Sequence, residues 1–244
     1  MIFEGCLRTN TTISDLLLVC LGLMLVLAAG CGTAHSVRPL GKGNTAVSLD
    51  LGGPPLGETK NAPLPMIDLG IQHGLDERSD VWAVLHILPM VLDRKPTIGM
   101  DFGLSRYVLD QRGGRPGIGL GVVASILANP GGAYAHIDIP VSFSWMTFGE
   151  RWLHYIGFHG TVFLTGYRIL DLPPLAWSPF IGTEVRVGKN RGFGIGGEIT
   201  WYQPYVRNTD AVLDWRGIGG QGALSFQLRF RIYPAPKATE EVPP

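Results

Sequence analysis

Between residues 136 and 159 lie several histidine, serine and aspartate residues. Side chains of these types could support catalysis or bind a metal ion. Ser142 or Ser144 could act as a nucleophile. His136 or His159 would then serve as its base, with Asp138 as the acid that orients the histidine. No short motif ties these groups together, and His136 with Asp138 would supply only two ligands of a metal site. We therefore interpret them as hydrogen-bonded structural side chains, and predict no catalytic residue, metal or other cofactor.

A glycine-rich run at residues 192–197 formally contains the G-x-G-x-x-G pattern of dinucleotide-binding proteins. That fingerprint requires a helix directly after the glycines. Here an alternating, strand-like segment follows, through Trp201. We expect these glycines, together with Gly117, Gly119 and Gly121, to face the inside of a β-structure, where they leave space or let strands bend.

The composition favours β-structure over helix or disorder. The chain has 244 residues, of which 34 are Gly and 18 are Pro, the two residues that most disfavour helix. Hydrophobic residues make up 45% and charged residues 16%, the reverse of a disordered chain. The 20 basic and 20 acidic residues cancel, so the chain has no net charge to attract nucleic acid, which we exclude as a partner.

Ten segments alternate between apolar and polar residues, which is the pattern of β-strands. In the sixth segment the apolar face would carry Ile137, Ile139, Val141, Phe143 and Trp145. Ten strands are the preferred number, with eight or twelve as alternatives. The segments lie near residues 44–51, 65–74, 80–88, 96–109, 117–127, 134–148, 152–168, 179–187, 192–205 and 219–233.

The opposite face of these segments collects charged residues and histidines. An apolar face and a charged face on the same strands favour a barrel that contacts lipid outside and encloses a polar lumen, whereas a soluble barrel would place the apolar face inside. We therefore predict an all-β protein, a single antiparallel transmembrane up-and-down β-barrel over residues 44–233. The side chains expected inside it are Asp50, Asp68, Asp80, His86, Asp101, His136, Asp138, His159, Glu184, Arg186, Glu198, Arg229 and Arg231.

The connections between segments alternate in length. The links at 75–79, 111–116, 149–151 and 188–191 are tight, whereas those at 52–64, 89–95, 169–178 and 206–218 are mostly longer. The link at 128–133 is short where a long one is expected. An even number of strands would place every tight link, and both termini, on one side of a membrane.

This pattern resembles that of the small outer-membrane β-barrels of Gram-negative bacteria, without pointing to a named functional family. The resemblance covers residues 44–233 and implies short periplasmic turns, periplasmic termini and contact with outer-membrane lipid. Aromatic residues near segment ends fit the girdles of such barrels. They are Trp145, Phe148 and Trp152 toward one side, and Trp177, Trp201, Tyr202 and Tyr205 toward the other.

An apolar run at residues 16–30 is too short for a comfortable spanning helix and ends at Cys31. It resembles a bacterial lipoprotein signal, which implies that Cys31 becomes the lipidated first residue of the mature chain. Ala28 stands where that signal usually has Leu, and the acidic Glu4 and Asp15 outnumber Arg8. We predict a signal at 1–30, a lipidated linker at 31–43 and a disordered tail at 234–244. Ordinary cleavage after residue 34, without a lipid, is the alternative.

Two passive functions fit a lumen with more acids than arginines. The charges could pair and seal the barrel, which would make it a structural scaffold. Alternatively, water between them could form a narrow pore with a weak preference for cations among small solutes and ions. An outer-membrane lipid-modifying enzyme and a soluble periplasmic β-domain held by a lipid anchor are the alternatives. The oligomeric state is left open.

Overall fold

The computed structural model describes residues 36–53, 66–92, 95–129, 132–149, 151–165, 174–188, 191–207, 218 and 221–233. The predicted signal, Cys31 and the predicted tail lie outside these residues. Within these ranges, no helix is long and apolar enough to cross a membrane. The ten strands are β1 (Thr45–Gly53), β2 (Met66–Gly74), β3 (Ser79–Leu92), β4 (Lys95–Leu109), β5 (Gly117–Asn129), β6 (Gly132–Thr147), β7 (Trp152–Phe163), β8 (Leu175–Val187), β9 (Phe193–Arg207) and β10 (Gln221–Ile232).

The ten strands form a closed barrel in which each strand is antiparallel to its neighbours in sequence. Pairing between β1 and β10, from Val47 opposite Ile232 to Gly53 opposite Phe226, closes the sheet. The predicted ten-stranded up-and-down barrel is therefore confirmed. Because the number of strands is even, residue 44 enters and residue 233 leaves the barrel at the same end, which we call the terminal end. The opposite end is the loop end.

The loop end differs from the prediction in the lengths of two connections. β3 continues through Leu92 and β4 begins at Lys95, so two residues join them where a longer irregular link was expected over 89–95. Two residues also join β5 to β6. The reason for the short β3–β4 link is that β3 continues beyond Leu88 and pairs with β4 again at Leu92, opposite Lys95, after a register shift. Strands β3 to β6, at 13 to 16 residues, therefore exceed the about ten residues that a tilted strand needs to cross a bilayer.

Tight turns close the terminal end. In the turn between β2 and β3, Leu75 N donates to Ser79 O at 2.8 Å. Asp76 in the same turn accepts a hydrogen bond of 2.7 Å from the Arg78 backbone N–H, which lowers the pKa of its carboxyl. Between β6 and β7, Phe148 and Gly149 both adopt positive φ, at 50° and 63°. Such compact turns leave few groups beyond the barrel rim.

Apolar side chains cover the outer face of every strand. The adjacent pair Phe102 and Leu104 on β4 are each 53% exposed, and Val122 on β5 is 54% exposed. Arg106, at the terminal end of β4, is an outward-facing charge that the sequence pattern did not predict. Other outward apolar residues include Leu49, Ile71, Val81, Ile139, Ile156, Ile181, Ile199 and Ile232.

Aromatic side chains mark both rims of this apolar face. At the terminal end, Phe148 is 74% exposed and its ring lies 5.6 Å from that of Trp152. Trp145 Nε1 donates to Gly114 O at 3.1 Å. Toward the loop end, Trp177 and Tyr205 stack with ring centroids 5.7 Å apart. Rings with an apolar body and a polar edge are suited to the headgroup level of a membrane.

Inward-facing glycines lie beneath aromatic rings on neighbouring strands. Trp82 lies over its register partner Gly103, and Tyr155 over its partner Gly182. Tyr107 occupies the space that a side chain on Gly117 would need. Gly117, Gly119 and Gly121 do face inward, as predicted, but the side chains of Tyr107, Ser142 and Pro140 fill the space that they leave.

The 192–197 run divides between the two faces. Gly194 and Gly196 face inward, where a Cβ on either would meet the side chain of Glu184. Gly197 alternates with the exposed Ile195 and Ile199 and so lies on the outward face, contrary to the prediction. The run is part of β9 from Phe193 onward, and no helix follows it.

The aromatic–glycine pairs predict that alanine destabilises the barrel at Gly182, beneath a ring, and not at Gly160, which no ring covers. Gly182→Ala places a Cβ against the buried Tyr155 ring, so we expect it to lower the free energy of unfolding by about 1–3 kcal/mol. Gly160→Ala, where the nearest atom is 3.9 Å away, is the control and should change it by less than about 0.5 kcal/mol. Urea unfolding of refolded protein measures both. Equal losses would contradict the packing described.

Candidate functional site: the charged lumen

The structure places the predicted charged residues inside the barrel. The residues Asp50, Asp68, Asp80 and Asp101 are each no more than 2% exposed. Arg186 and His136 are partly exposed, at 24% and 18% of their side chains. The remaining inward ionisable residues are buried: His86, Asp138, His159, Glu184, Glu198, Arg229 and Arg231.

Arg229 begins a chain of polar contacts that runs across five strands. Its Nε donates a bifurcated hydrogen bond to the two carboxylate oxygens of Asp50 on the adjacent β1, at 3.1 and 3.2 Å. Its Nη2 donates to Gln227 Oε1 at 3.1 Å, and Gln227 Nε2 donates to Asp68 Oδ2 at 3.1 Å. The amide of Gln227 therefore links a cation to a second carboxylate.

His86 extends this chain to a third carboxylate. Its Nδ1 lies 2.8 Å from Asp68 Oδ1, and its Nε2 lies 2.9 Å from Asp101 Oδ2. The second contact is close but poorly aligned for hydrogen bonding, since Asp101 Oδ2 accepts no hydrogen bond within the described residues. His86 thus bridges Asp68 and Asp101 from its two ring nitrogens.

A second group surrounds Glu184 near the terminal end. Tyr233 Oη donates a hydrogen bond to Glu184 Oε1. Arg186 Nε and Arg231 Nη1 lie 3.8 and 3.9 Å from its two oxygens. The Arg186 guanidinium also lies 4.1 Å above the Tyr233 ring, a cation–π distance. Gly194 on β9 is the register partner of Arg186 on β8 and of Arg231 on β10, so it lies between them. Because Gly194 has no side chain, there is room for the Tyr233 ring.

Two further carboxylates are held by hydroxyl donors. Glu198 accepts hydrogen bonds from Tyr155 Oη at 3.0 Å and from Thr200 Oγ1 at 3.1 Å. Asp138 accepts one from Thr161 Oγ1 at 2.5 Å, and its other oxygen lies 3.2 Å from His136 Nε2. Each of these buried acids therefore has a donor for at least one oxygen, as a buried carboxylate requires.

The serine, histidine and aspartate groups that were considered for a hydrolase are not brought together. Ser144 lies eight residues from His136 on the same strand, a separation of about 26 Å at 3.3 Å per residue. Ser142 directs its hydroxyl toward Gly119 on β5, whereas His159 lies on β7, the opposite neighbour of β6. His159 packs against Phe180 with ring centroids 4.7 Å apart. The geometry needed for a proton relay from serine is therefore missing at these positions.

The described part of the chain contains no group of three or more His, Cys, Asp or Glu side chains arranged to hold a metal ion. His86 with its two aspartates and His136 with Asp138 are the nearest approaches to one. Their contacts are those of ion pairs and hydrogen bonds within the protein.

Residues 36–40 lie in the terminal mouth of the barrel, and we call them the N-terminal strap. Ser36 Oγ donates to Asp80 Oδ2 at 3.0 Å and accepts from Gln72 Nε2 at 2.8 Å. Leu40 N donates to Asp80 Oδ1 at 3.2 Å. The strap belongs to the predicted linker 31–43, and its position inside the barrel was not foreseen.

The middle of the strap contacts the opposite part of the wall. Arg38 donates to Ser144 Oγ at 3.2 Å and to Gln111 Oε1 at 2.5 Å, and its guanidinium lies 5.3 Å from the centre of the Tyr107 ring. Val37 is 4% exposed and packs in a cluster with Leu153, Tyr155 and Phe180. The strap is thus fixed by polar groups at both ends and by one apolar side chain between them.

Sequence reasoning missed two sets of residues in this site. The strap carries no alternating pattern, since it is not a strand. The aromatic side chains Trp82, Tyr107 and Tyr155 do lie on the inward phase, directly or diagonally across from glycines of a neighbouring strand. That signal becomes readable only once the register between strands is known.

No protein-family model matches the chain, and no curated protein matches it. Among solved structures 18 chains match, one of which is the outer membrane channel DcaP of Acinetobacter baumannii. It is 13% identical, with a TM-score of 0.32, over 80% of this chain and 60% of the channel. This chain therefore spans about three fifths of the channel's length, and a likeness this weak does not transfer the channel's function to it.

We expect the loss of Arg229 alone to destabilise the barrel more than the loss of both Arg229 and Asp50. Arg229→Met leaves Asp50 buried and uncompensated, which should lower the free energy of unfolding by about 3–5 kcal/mol. Adding Asp50→Leu should restore most of that loss, because no charge remains buried without its partner. Urea titration of the two variants in detergent measures the difference.

The exposed pair of Arg78 and Asp110 provides the control for this experiment. These side chains are 51% and 48% exposed, so Arg78→Ala should leave stability nearly unchanged. If Arg229→Met is as mild as Arg78→Ala, the buried pair does not organise the lumen.

Proposed function

We propose that this protein is an outer-membrane β-barrel whose lumen is closed, and that it serves as a membrane-embedded scaffold. The sorting of side chains supports the proposal more than any other observation. Apolar residues such as Phe102, Leu104 and Val122 are outside and about half exposed, whereas Asp50 and Arg229 are inside and buried. In water this arrangement would leave a continuous apolar surface exposed, which soluble monomers avoid.

A lipid environment removes that difficulty. Every strand of the barrel pairs on both sides, so the backbone N–H and C=O groups of the wall are satisfied without water. The apolar outer face then contacts acyl chains, and the aromatic rims formed by Phe148 with Trp152 and by Trp177 with Tyr205 lie at the two headgroup levels. Closed barrels of this kind are characteristic of the bacterial outer membrane.

The proposed orientation places the terminal end in the periplasm. Every connection at this end has seven residues or fewer, whereas three of the five at the loop end have eleven or more, and the longer connections of such barrels lie on the external side. Cys31 precedes Ser36 by five residues, a reach of at most about 17 Å. A lipid on Cys31 would therefore lie close to the terminal end, in the periplasmic leaflet. This orientation and the lipidation of Cys31 are parts of the proposal.

A closed lumen is favoured by what fills it. Trp82, Tyr107 and Tyr155 lie across the inward glycines, and the chain of polar contacts from Asp50 to Asp101 spans five strands. The strap lies in the terminal mouth, with both of its ends bound to Asp80. A ten-stranded barrel is only slightly wider than the eight-stranded type that side chains alone can fill. These groups occupy the path that solutes would take.

A narrow cation-preferring pore is the second candidate function, supported by the excess of acids in the lumen. The inward acids are Asp50, Asp68, Asp80, Asp101, Asp138, Glu184 and Glu198, against the three arginines Arg186, Arg229 and Arg231. Water passing beside these groups would carry cations in preference to anions.

The lipid-facing role predicts that the cost of a charge depends on its depth. Val122, near the middle of β5, and Leu109, at the terminal end of β4, are similarly exposed, at 54% and 56%. In a bilayer Val122→Lys should cost about 2–4 kcal/mol of folding free energy and Leu109→Lys about 0–1 kcal/mol. Folding into lipid vesicles under urea titration measures both.

A soluble barrel would behave differently in the same comparison. Lysine at either exposed position would then meet water, and both variants would be as stable as the parent or more soluble. Parent protein that stays monomeric without detergent would contradict the membrane assignment directly.

A further inference from the structure

The ring of His86 is held between two carboxylates inside the barrel. Its Nδ1 lies 2.8 Å from Asp68 Oδ1 on β2, and its Nε2 lies 2.9 Å from Asp101 Oδ2 on β4. His86 is 4% exposed and each aspartate is 2% exposed. The ring lies over Gly99, its register partner on β4, where a Cβ would come within 3.2 Å of the ring carbon Cδ2. Packing therefore holds the ring with one nitrogen toward each acid.

The two contacts require a proton on both ring nitrogens if both aspartates are ionised. An ionised carboxylate only accepts hydrogen bonds, and a neutral imidazole has one N–H and one lone pair. A neutral His86 could therefore turn a proton to only one of the two acids. Its other nitrogen would lie at hydrogen-bond distance from a negative oxygen with no proton between them, and the two atoms would repel each other. The poor alignment of the Asp101 contact does not remove this repulsion.

The neighbouring charges favour the ring as the place for the additional proton. Within the described residues, neither Asp68 nor Asp101 forms an ion pair with a lysine or an arginine, so His86 is the group that can compensate both. Arg229 directs its Nε to Asp50 instead. In water an imidazole keeps its proton up to about pH 6.5, and an aspartate only up to about pH 3.9. A proton shared among these groups therefore belongs on the imidazole.

We propose that Asp68, His86 and Asp101 form a buried proton-binding site, in which the His86 ring is an imidazolium cation shared by two carboxylates. The ligand of this site is a single proton. With His86 charged, negative and positive groups alternate along the chain of polar contacts, in the order Asp50, Arg229, Asp68, His86 and Asp101. The site lies inside the barrel, so it does not depend on what the outer face contacts.

Proton binding at this site is coupled to folding. In the unfolded chain His86 meets water, where a histidine loses its proton above about pH 6.5. The folded barrel retains the proton between its two acids, so unfolding releases it. The free energy of unfolding must then fall as the pH rises, over the range in which only the folded barrel is protonated. Once the folded barrel also loses the proton, Asp68 and Asp101 are left without a cation and the chain of contacts is broken at β3.

Other titratable and charged groups face this part of the lumen from more distant strands. Arg229 on β10 pairs with Asp50 on β1, and His136 Nε2 lies 3.2 Å from Asp138 Oδ2 on the same strand, β6. His159 on β7 is the remaining inward histidine among the described residues. Because neither His136 nor His159 contacts the two acids of the site, each can be substituted without removing it.

Nitrogen NMR of the refolded, histidine-labelled barrel tests the site directly. At about pH 8 a histidine in water is neutral, with one protonated and one bare ring nitrogen. We expect both nitrogens of His86 to have the chemical shift of a protonated ring nitrogen at this pH, and to return to the neutral pattern in urea. His86→Gln should remove that pair of signals, whereas His136→Gln and His159→Gln should leave it. One protonated and one bare nitrogen at His86 in the folded barrel would overturn the proposal.

The pH dependence of unfolding measures the same proton by a second route. One proton released on unfolding makes the unfolding equilibrium constant rise about tenfold per pH unit, which corresponds to about 1.4 kcal/mol. Asp101→Asn should remove up to this much of the parent's slope between about pH 7 and 9, because a neutral His86 can then donate to Asp68 without facing a second acid. This variant also keeps the test open if His86→Gln fails to fold.

An exposed aspartate provides the matched control for Asp101→Asn. The Asp110 side chain is 48% exposed and pairs with Arg78. Asp110→Asn touches no histidine contact of the lumen, so it should leave the slope of the parent unchanged. Equal slopes for the parent and Asp101→Asn would contradict the proton-binding site, as would an equal reduction in both variants.

Discussion

The structure depends on the pairing of every strand on both sides, which satisfies the backbone hydrogen bonds of the wall and, as we propose, allows that wall to face hydrocarbon. A sheet pairs every strand on both sides only when it closes, and here the pairing of β1 with β10 closes it. Successive side chains of a strand point to opposite faces of the sheet, so closure places one set inside and the other outside along all ten strands. The outward set is apolar because it meets lipid, as we propose, and the charged residues are left with the interior.

Inside the barrel, the buried charges need hydrogen-bond or ionic partners, and the space between the strands must be filled by side chains. Most of the buried carboxylates have a hydrogen-bond donor: Arg229 donates to Asp50, Gln227 to Asp68, and Tyr155 to Glu198. Aromatic rings that lie over glycines of the neighbouring strand fill part of the space inside the barrel. The N-terminal strap, which precedes the first strand, adds polar contacts at the terminal mouth, from Ser36 to Asp80 and from Arg38 to Ser144.

Period-two alternation predicted the strands because the outer face of the barrel is apolar and the inner face is polar, so neighbouring residues of a strand differ in type. It predicted ten strands and the inward placement of residues such as Asp138 and Arg231. It could not predict that β3 and β4 continue to a two-residue link, since an apolar run that contains Pro89 and is followed by the charged residues 93–95 reads equally well as a loop. Contacts such as Tyr155 with Gly182, or Arg38 with Ser144, depend on register and on a segment without periodicity, which a single sequence does not encode locally.

The most direct test of the account is a nitroxide scan along β5 in lipid vesicles, with collision rates measured for oxygen and for a water-soluble nickel chelate. Positions 120, 122, 124 and 126 should collide with oxygen, most strongly near 122, and hardly with nickel. Positions 121, 123 and 125 should be protected from both reagents, because they face a filled lumen. Nickel access to the even positions along the whole strand would contradict the account, because those side chains would then lie in water.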